Sequence, residues 1–259
     1  MDVLFMLFLA LVGASVGFLS GLLGIGGGII MFPLLLYVPP ALGLASIDVK
    51  SITGLTMAQG FFSAVTALFH YQRNSLVNRQ LVLTLGLSLF LSSLLGSLFS
   101  TYVSNTTLLA VFGALALTAA VMMLIPRTYL QDEMTEEKVT FHRATAIAIG
   151  ILLGFTIGLV GQGGAFILIP MMLYVLKIPL RVALGSTLGI GLFSSSAGMI
   201  GKVATGQVPY LMALPLILGA IPAARFGSMV GKKTTTPVLR WLLAAIIAAT
   251  AVKVLIGIM

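Results

Sequence analysis

Apolar runs separated by short polar breaks fill almost the whole chain. Measured against the roughly 20 residues that cross a bilayer as a helix, they predict five segments in each half. In the first half these are 3–23, 29–47, 51–70, 80–102 and 106–125; in the second, 144–161, 165–178, 182–200, 208–230 and 237–258. The polar stretch from Pro126 to Arg143 is the only sizeable extramembrane piece. The pattern predicts an all-α polytopic membrane protein of 8–10 transmembrane segments, with a first repeat over 1–125, a linker over 126–143 and a second repeat over 144–259. One segment also has a polar face. Thr53, Thr56, Gln59, Ser63 and Thr66 fall within an arc of about 140° at helical spacing, so that stripe is expected to face protein or water. The second half offers Ser186, Thr187, Ser194, Ser195 and Ser196 in the matching place.

The halves match in sequence. Gly13–Tyr37 aligns without gaps on Gly150–Tyr174, an offset of 137, with 12 of 25 positions identical. The identities include Gly17/Gly154, Gly21/Gly158, Gly24/Gly161, Gly26/Gly163, Gly27/Gly164 and Pro33/Pro170. Further on the offset becomes 131, pairing Lys50 with Arg181, Gly54 with Gly185, Thr56 with Thr187 and Gly96 with Gly227. Five segments is an odd number, so the second half is expected to insert upside down relative to the first, as inverted-topology repeats. Basic residues support that orientation. With alternating segments, one side collects ten of them (Arg73, Arg79, Arg127, Lys138, Arg143, Lys177, Arg181, Lys232, Lys233 and Arg240) and the other only Lys50, Lys202 and Lys253. By the positive-inside rule the linker is cytoplasmic and both termini lie outside. A four-plus-four arrangement with parallel repeats is the alternative.

Each half has a glycine-rich break: Gly24-Ile-Gly26-Gly27-Gly28 in the first, Gly161-Gln162-Gly163-Gly164 in the second. Short runs interrupted by Pro33, Pro39 and Pro40, or by Pro170 and Pro179, follow them. Consecutive glycines weaken a helix by about 1 kcal/mol each, which favours an unwound turn. Non-helical backbone at membrane depth survives where protein or a water-filled cavity satisfies it, and paired breaks of this kind mark substrate sites. A helix restarting after each break would present unpaired N–H groups and the positive end of its dipole to an anion. Gly26, Gly27, Gly28, Gln162, Gly163 and Gly164 are therefore candidate binding residues, with Thr53, Thr56, Gln59, Ser186 and Thr187 beside them. Gly17, Gly21 and Gly24 fit close helix packing instead.

Composition narrows the chemistry. The chain is 59% hydrophobic and 8% charged, with a mean hydropathy of +1.16, so lipid must be its solvent. No basic region precedes the first apolar run, which is expected to stay as a membrane helix. There is no cysteine, and His70 and His142 are far apart at segment ends, so a metal site or cofactor is not expected. Of six acidic residues, Asp132, Glu133, Glu136 and Glu137 lie in the linker, and Asp2 and Asp48 at segment ends. The apolar segments hold no carboxylate to replace a cation's hydration shell. There is no cysteine, the apolar body has no paired acids and no His lies near an Asp at useful spacing, which argues against an enzyme. Arg225 is the one basic residue well inside a segment, a candidate for the substrate or a gate unless it snorkels to the headgroups. Asp48 and His70 are the candidates for proton coupling, and an interfacial role suffices for each. Lys50 and Arg181 read as interfacial anchors or entry charges.

The paired Gly-x-Gly-Gly breaks leading to a proline, with Gly54-Leu55-Thr56 and Gly185-Ser186-Thr187, resemble the sulfite exporter TauE/SafE family. The resemblance extends over residues 10–125 and 145–258. It implies a multi-pass permease of the bacterial inner membrane for a small inorganic or organosulfur anion: sulfite, sulfoacetate, another sulfonate or thiosulfate. Such a protein works by alternating access; a passive anion channel and a subunit of a larger complex are the rival readings. The expected partners are that anion and the lipid bilayer, with no nucleic acid, and a homo-oligomer is left open.

Overall fold

A computed structural model describes residues 3–24, 26–71, 77–124, 141–161 and 166–258. In lipid a backbone N–H or C=O without an internal partner costs several kcal/mol, so an apolar chain of this kind folds as helices. Ten α-helices follow among the described residues: α1 (Val3–Leu23), α2 (Gly28–Ala41), α3 (Val49–Tyr71), α4 (Arg79–Phe99), α5 (Asn105–Leu124), α6 (Arg143–Val160), α7 (Leu168–Tyr174), α8 (Leu180–Ala204), α9 (Tyr210–Lys233) and α10 (Thr236–Ile258). A 3-10 turn, Ser100–Tyr102, extends α4.

Six of these helices are long and apolar enough to cross a membrane: α1, α4, α5, α6, α8 and α9. α3 and α10 have 23 residues each. α2 and α7 are different. At 14 and 7 residues they rise about 21 Å and 10 Å, short of a hydrocarbon core of about 30 Å. The expected segments 29–47 and 165–178 are therefore not full helical spans. Pro39 and Pro40 sit in the last turn of α2, and Leu44 N–H turns back to the Pro39 carbonyl. After α7 the backbone leaves the helix through Lys177, at φ 58°, and Pro179.

The helices exchange partners between the halves. Gly13, Gly17 and Gly21 of α1 face Leu216, Ala220 and Ala224 of α9 in the same order, so these two helices run parallel in close contact. Gly150, Gly154 and Gly158 of α6 face Leu85, Leu89 and Ser93 of α4 in the same way. Every residue in the second set is the repeat partner of one in the first. α3 and α8, also repeat partners, pack against each other and run antiparallel: Met57 abuts Gly198, whereas Ala64 meets Leu188 and Gly191. Their polar stripes face inward, with Thr53, Thr56, Gln59, Ser63, Ser186, Thr187, Ser194 and Ser195 all buried and Thr66 half-buried. Leucines take the outside, as Leu83, Leu87, Leu91 and Leu95 of α4 do, each more than half exposed toward lipid.

α4 also runs parallel to α8, with Val82 on Gly189, Gly86 on Phe193 and Ser97 on Gly201. The starts of α4, α6 and α8 therefore share one end of the bundle with Arg79, Arg143 and Arg181. The end of α9 joins them: Arg181 donates to the Thr234 carbonyl at 3.3 Å. Lys50 makes the matching contact at the opposite end, donating to the Thr101 carbonyl at 2.7 Å just past α4. Both cations thus cap helix C-termini, which accounts for them without a substrate.

The glycine faces yield a stability prediction. A Cβ on Gly17 would stand 2.6 Å from the Ala220 carbonyl oxygen, and backbone cannot step aside. Gly17→Val is expected to cost 3 kcal/mol or more (roughly the upper end for overpacking) and to sharply lower the melting temperature in detergent. Gly43→Ala, at φ 69° with nothing within 4 Å, should cost only about 1 kcal/mol of backbone strain. Equal melting temperatures for the two variants would remove the packing role from Gly17.

Candidate functional site

The first break begins where α1 ends. Gly24 closes the last turn by donating to the Ser20 carbonyl at 2.8 Å. Gly24, Gly26 and Gly27 all take φ near +70°, a left-handed conformation that a side chain disfavours and that lets the chain double back on itself. Gly27 comes to rest against Val16 and Ser20 of α1 and serves as the N-cap of α2, with no side-chain cap. Gly28 is the first helical residue. Ile30 and Met31 already donate to the Gly27 carbonyl, which leaves the first N–H groups of α2 at the positive end of its dipole.

These residues enclose a small pocket lined by Ser20, Gly24, Gly26, Ala64, Thr187, Leu188 and Gly191. It has room for about one water molecule. Thr187 folds its hydroxyl onto the Ala183 carbonyl of its own helix. Ser20 is fully buried, yet its Oγ has no hydrogen-bond partner. A buried hydroxyl left so costs about 1–3 kcal/mol, and Ser20 lines the pocket in which a partner would stand.

The second break lies elsewhere along the bundle. α6 ends at Val160, and Gly161, at φ 85°, rests on α3: a Cβ there would meet Thr56 Oγ1 and stand 2.6 Å from the Thr53 carbonyl oxygen. Gly24 rests on the Leu184 carbonyl of α8 in the same way, at 2.7 Å, and Leu184 is the repeat partner of Thr53. The two breaks thus mirror one another across the α3–α8 pair. Their described glycines, Gly161 and Gly24 with Gly26, lie at different depths. Thr56 and Ala64 are eight residues apart on α3, about 12 Å of helix rise. Gln59 lies between them, fully buried, donating to Ser63 Oγ at 2.8 Å while its Oε1 has no partner.

The sequence candidates therefore divide. Gly26 and Thr187 line the first pocket, Gly27 and Gly28 start α2 just after it, and Thr53 and Thr56 lie at Gly161. Thr53 and Thr56 bond back to the carbonyls of Lys50 and Thr53. Ser186 accepts the Asn78 N–H at 3.1 Å and so anchors the start of α4. Gln162, Gly163 and Gly164 lie outside the described residues. Arg225 is exposed on the outer side of α9, away from both breaks, so the snorkelling alternative describes its position. Asp48 is exposed, holding the Lys50 N–H and Asn105 Nδ2 across two helix starts, and His142 caps α6 by accepting from the Thr145 N–H.

Two residues escaped the sequence reading. Ser20 carried no signal beyond its place four residues before Gly24. Lys202 was hidden by a segment boundary: the expected end at 200 leaves it in a loop, but α8 continues to Ala204 and buries it completely. Its ammonium donates to Ser100 Oγ at 2.7 Å, Gln207 Oε1 at 2.9 Å and the Leu159 carbonyl at 3.2 Å. Among the described residues no group of His, Cys, Asp or Glu is arranged to hold a metal ion.

Comparison with known proteins supplies the family. The profile described as Sulfite exporter TauE/SafE matches residues 9–254. The probable membrane transporter protein YunE of Bacillus subtilis is 25% identical over 88% of this chain and 89% of its own. A probable membrane transporter protein of Methanocaldococcus jannaschii is 25% identical, covering 96% and 94%. One from Haemophilus influenzae is 27% identical, covering 89% of each. No solved structure matches the chain.

The unpartnered hydroxyl gives the site its own test. Ser20→Ala removes no hydrogen bond, so the melting temperature of the ligand-free protein should stay the same or rise. Transport by this variant should nevertheless fall at least tenfold in vesicles. A lowered melting temperature with normal transport would make Ser20 a packing residue.

Proposed function

The chain belongs to the sulfite exporter TauE/SafE family and is a multi-pass membrane transporter, and we propose from that premise that it exports a small sulfur-containing oxyanion. Sulfite, sulfoacetate and other sulfonates are the class, and alternating access is the mechanism. The observation that carries this reading is the first break. There backbone at positive φ (Gly24 and Gly26) and the free Ser20 hydroxyl line one small pocket with no carboxylate among its lining residues, and the uncapped start of α2 follows directly after Gly26. Backbone N–H groups and a hydroxyl can donate hydrogen bonds to oxyanion oxygens, and no carboxylate lines the pocket to neutralise a cation.

The same geometry favours a carrier over a channel. A sulfite ion has four heavy atoms, and the pocket has room for about one water molecule. The anion therefore enters only when α1, α2 and α8 move relative to one another, and a pore open to both sides is not what these helices build. Two breaks at different depths on antiparallel α3 and α8 support inverted repeats, in which each half opens toward its own side. The arginines gathered at one end of the bundle support a cytoplasmic linker and an inner-membrane orientation with both termini outside.

Anion-dependent stability tests the substrate class. Sulfite, thiosulfate or sulfoacetate at 100 times its Kd should stabilise the purified protein by about 2.7 kcal/mol, raising its melting temperature, whereas chloride should leave it unchanged. Flux into proteoliposomes should saturate. If no sulfur oxyanion shifts the melting temperature, or if flux rises without limit with concentration, the proposal fails. Epitope tags at the two termini should both be accessible from the periplasm.

A further inference from the structure

The geometry points to Lys202 as the counter-charge of a second oxyanion subsite, built beside the end of α6 and covered by Gln207. The inference rests on the transport reading above and extends it, because Lys202 lies away from the first pocket and is not among the candidate residues of either break.

Lys202 is fully buried at the end of α8, in a chain whose solvent is lipid. An ammonium in such a place costs several kcal/mol unless an opposite charge lies beside it. None does. Its three partners, Ser100 Oγ, Gln207 Oε1 and the Leu159 carbonyl, are neutral oxygens that satisfy its three donors without balancing its charge. The sole carboxylate among the described residues, Asp48, is held by the Lys50 N–H and Asn105 instead. Lys50, the nearest cation, bonds the Thr101 carbonyl next to Ser100, so a second positive charge stands over the same 3-10 turn.

Position makes this buried amine useful. The Leu159 carbonyl belongs to the last turn of α6, two residues before Gly161, and Gly161 lies on Thr53 and Thr56. Lys202 is thus tied to the end of α6, within two residues of the glycine that closes it. The first half has no equivalent, because the repeat partner of Lys202 is Tyr71. Access is short. Gln207 is itself 7% exposed, in the α8–α9 loop. Gly206 beside it is exposed at φ 68°, with nothing within 4 Å of where a side chain would stand. Swinging the Gln207 amide aside frees one ammonium proton toward the surface. A sulfite or sulfonate oxygen that takes the place of Gln207 Oε1 supplies the missing negative charge, and the Thr101 hydroxyl, which now accepts from Gln207 Nε2, is released as a further donor.

Two variants of the full-length protein in detergent decide the matter, with sulfite and sulfoacetate as probes and melting temperature against anion concentration as the readout. Lys202→Met keeps the stem and removes the charge; it should weaken binding of both anions at least tenfold, while Lys202→Arg retains most of it. Gln207→Ala removes the competing oxygen and should tighten binding at least threefold. That gain is the opposite of what loss of a purely structural contact would give. Should Lys202→Met not yield folded protein, the Gln207→Ala titration decides alone. Unchanged binding in Gln207→Ala, or binding by Lys202→Met within twofold of the parent, overturns the subsite while leaving the transport reading intact. Failure of both anions to stabilise the parent protein overturns the two together.

Discussion

Everything in this molecule depends on how closely α1 can approach α9, and α6 can approach α4. Between helices in lipid there is no hydrophobic drive, since the tails are as apolar as the side chains they would replace. What remains is dispersion at close range, and glycine allows the closest range. Gly13, Gly17 and Gly21 bring α1 against the backbone of α9, and Gly150, Gly154 and Gly158 do so for α6 on α4. Because each pair joins helices from different halves, neither half can be packed without the other. The exchange also leaves α3 and α8 face to face in the middle, where their hydroxyls are shielded from lipid.

The breaks follow from that packing. A helix locked onto its partner along its whole length would leave no surface for a substrate. α1 and α6 end in glycine instead, and the chain turns back on itself at positive φ before α2 begins. The turn is tolerated because neighbouring backbone carbonyls, those of Leu184 and Thr53, pack directly on Gly24 and Gly161, with no room for a side chain between. A ligand at the described glycines would thus meet mainly backbone and hydroxyl groups.

Much of this was legible in the sequence. Twelve identities in 25 positions disclosed the duplication, and runs of glycine too dense for one helical face disclosed the breaks. Polar spacing at Thr53, Thr56, Gln59 and Ser63 showed which face of α3 is buried. Partner exchange was not legible, because a glycine face says that something approaches closely but not which helix does so. The depth of the breaks was hidden for the same reason: depth depends on which residues of α3 and α8 lie opposite each other. Arg225 and Lys202 show the limit most clearly. Arg225 lies in the middle of an apolar run and turns outward, whereas Lys202 lies at the end of one and is buried, because helix rotation and the fold of the α8–α9 loop decide burial.

That contrast bears on how two nearly equivalent halves come to act differently. Repeat symmetry gives both breaks a glycine turn on a neighbouring carbonyl, and with it similar backbone donors. Symmetry alone would give the two ends of the bundle the same polar chemistry. Net movement through a carrier follows its gradients in either case, so the departures from symmetry bear on how tightly each end would hold a ligand. At one end Ser20 offers a neutral hydroxyl with no partner; at the other Lys202 offers a buried amine held by neutral oxygens. On the proposed reading an anion at the first pocket would meet neutral donors alone, whereas one beside Lys202 would hold that amine in its charged form, so the two ends would differ in affinity although the repeat makes their backbones alike.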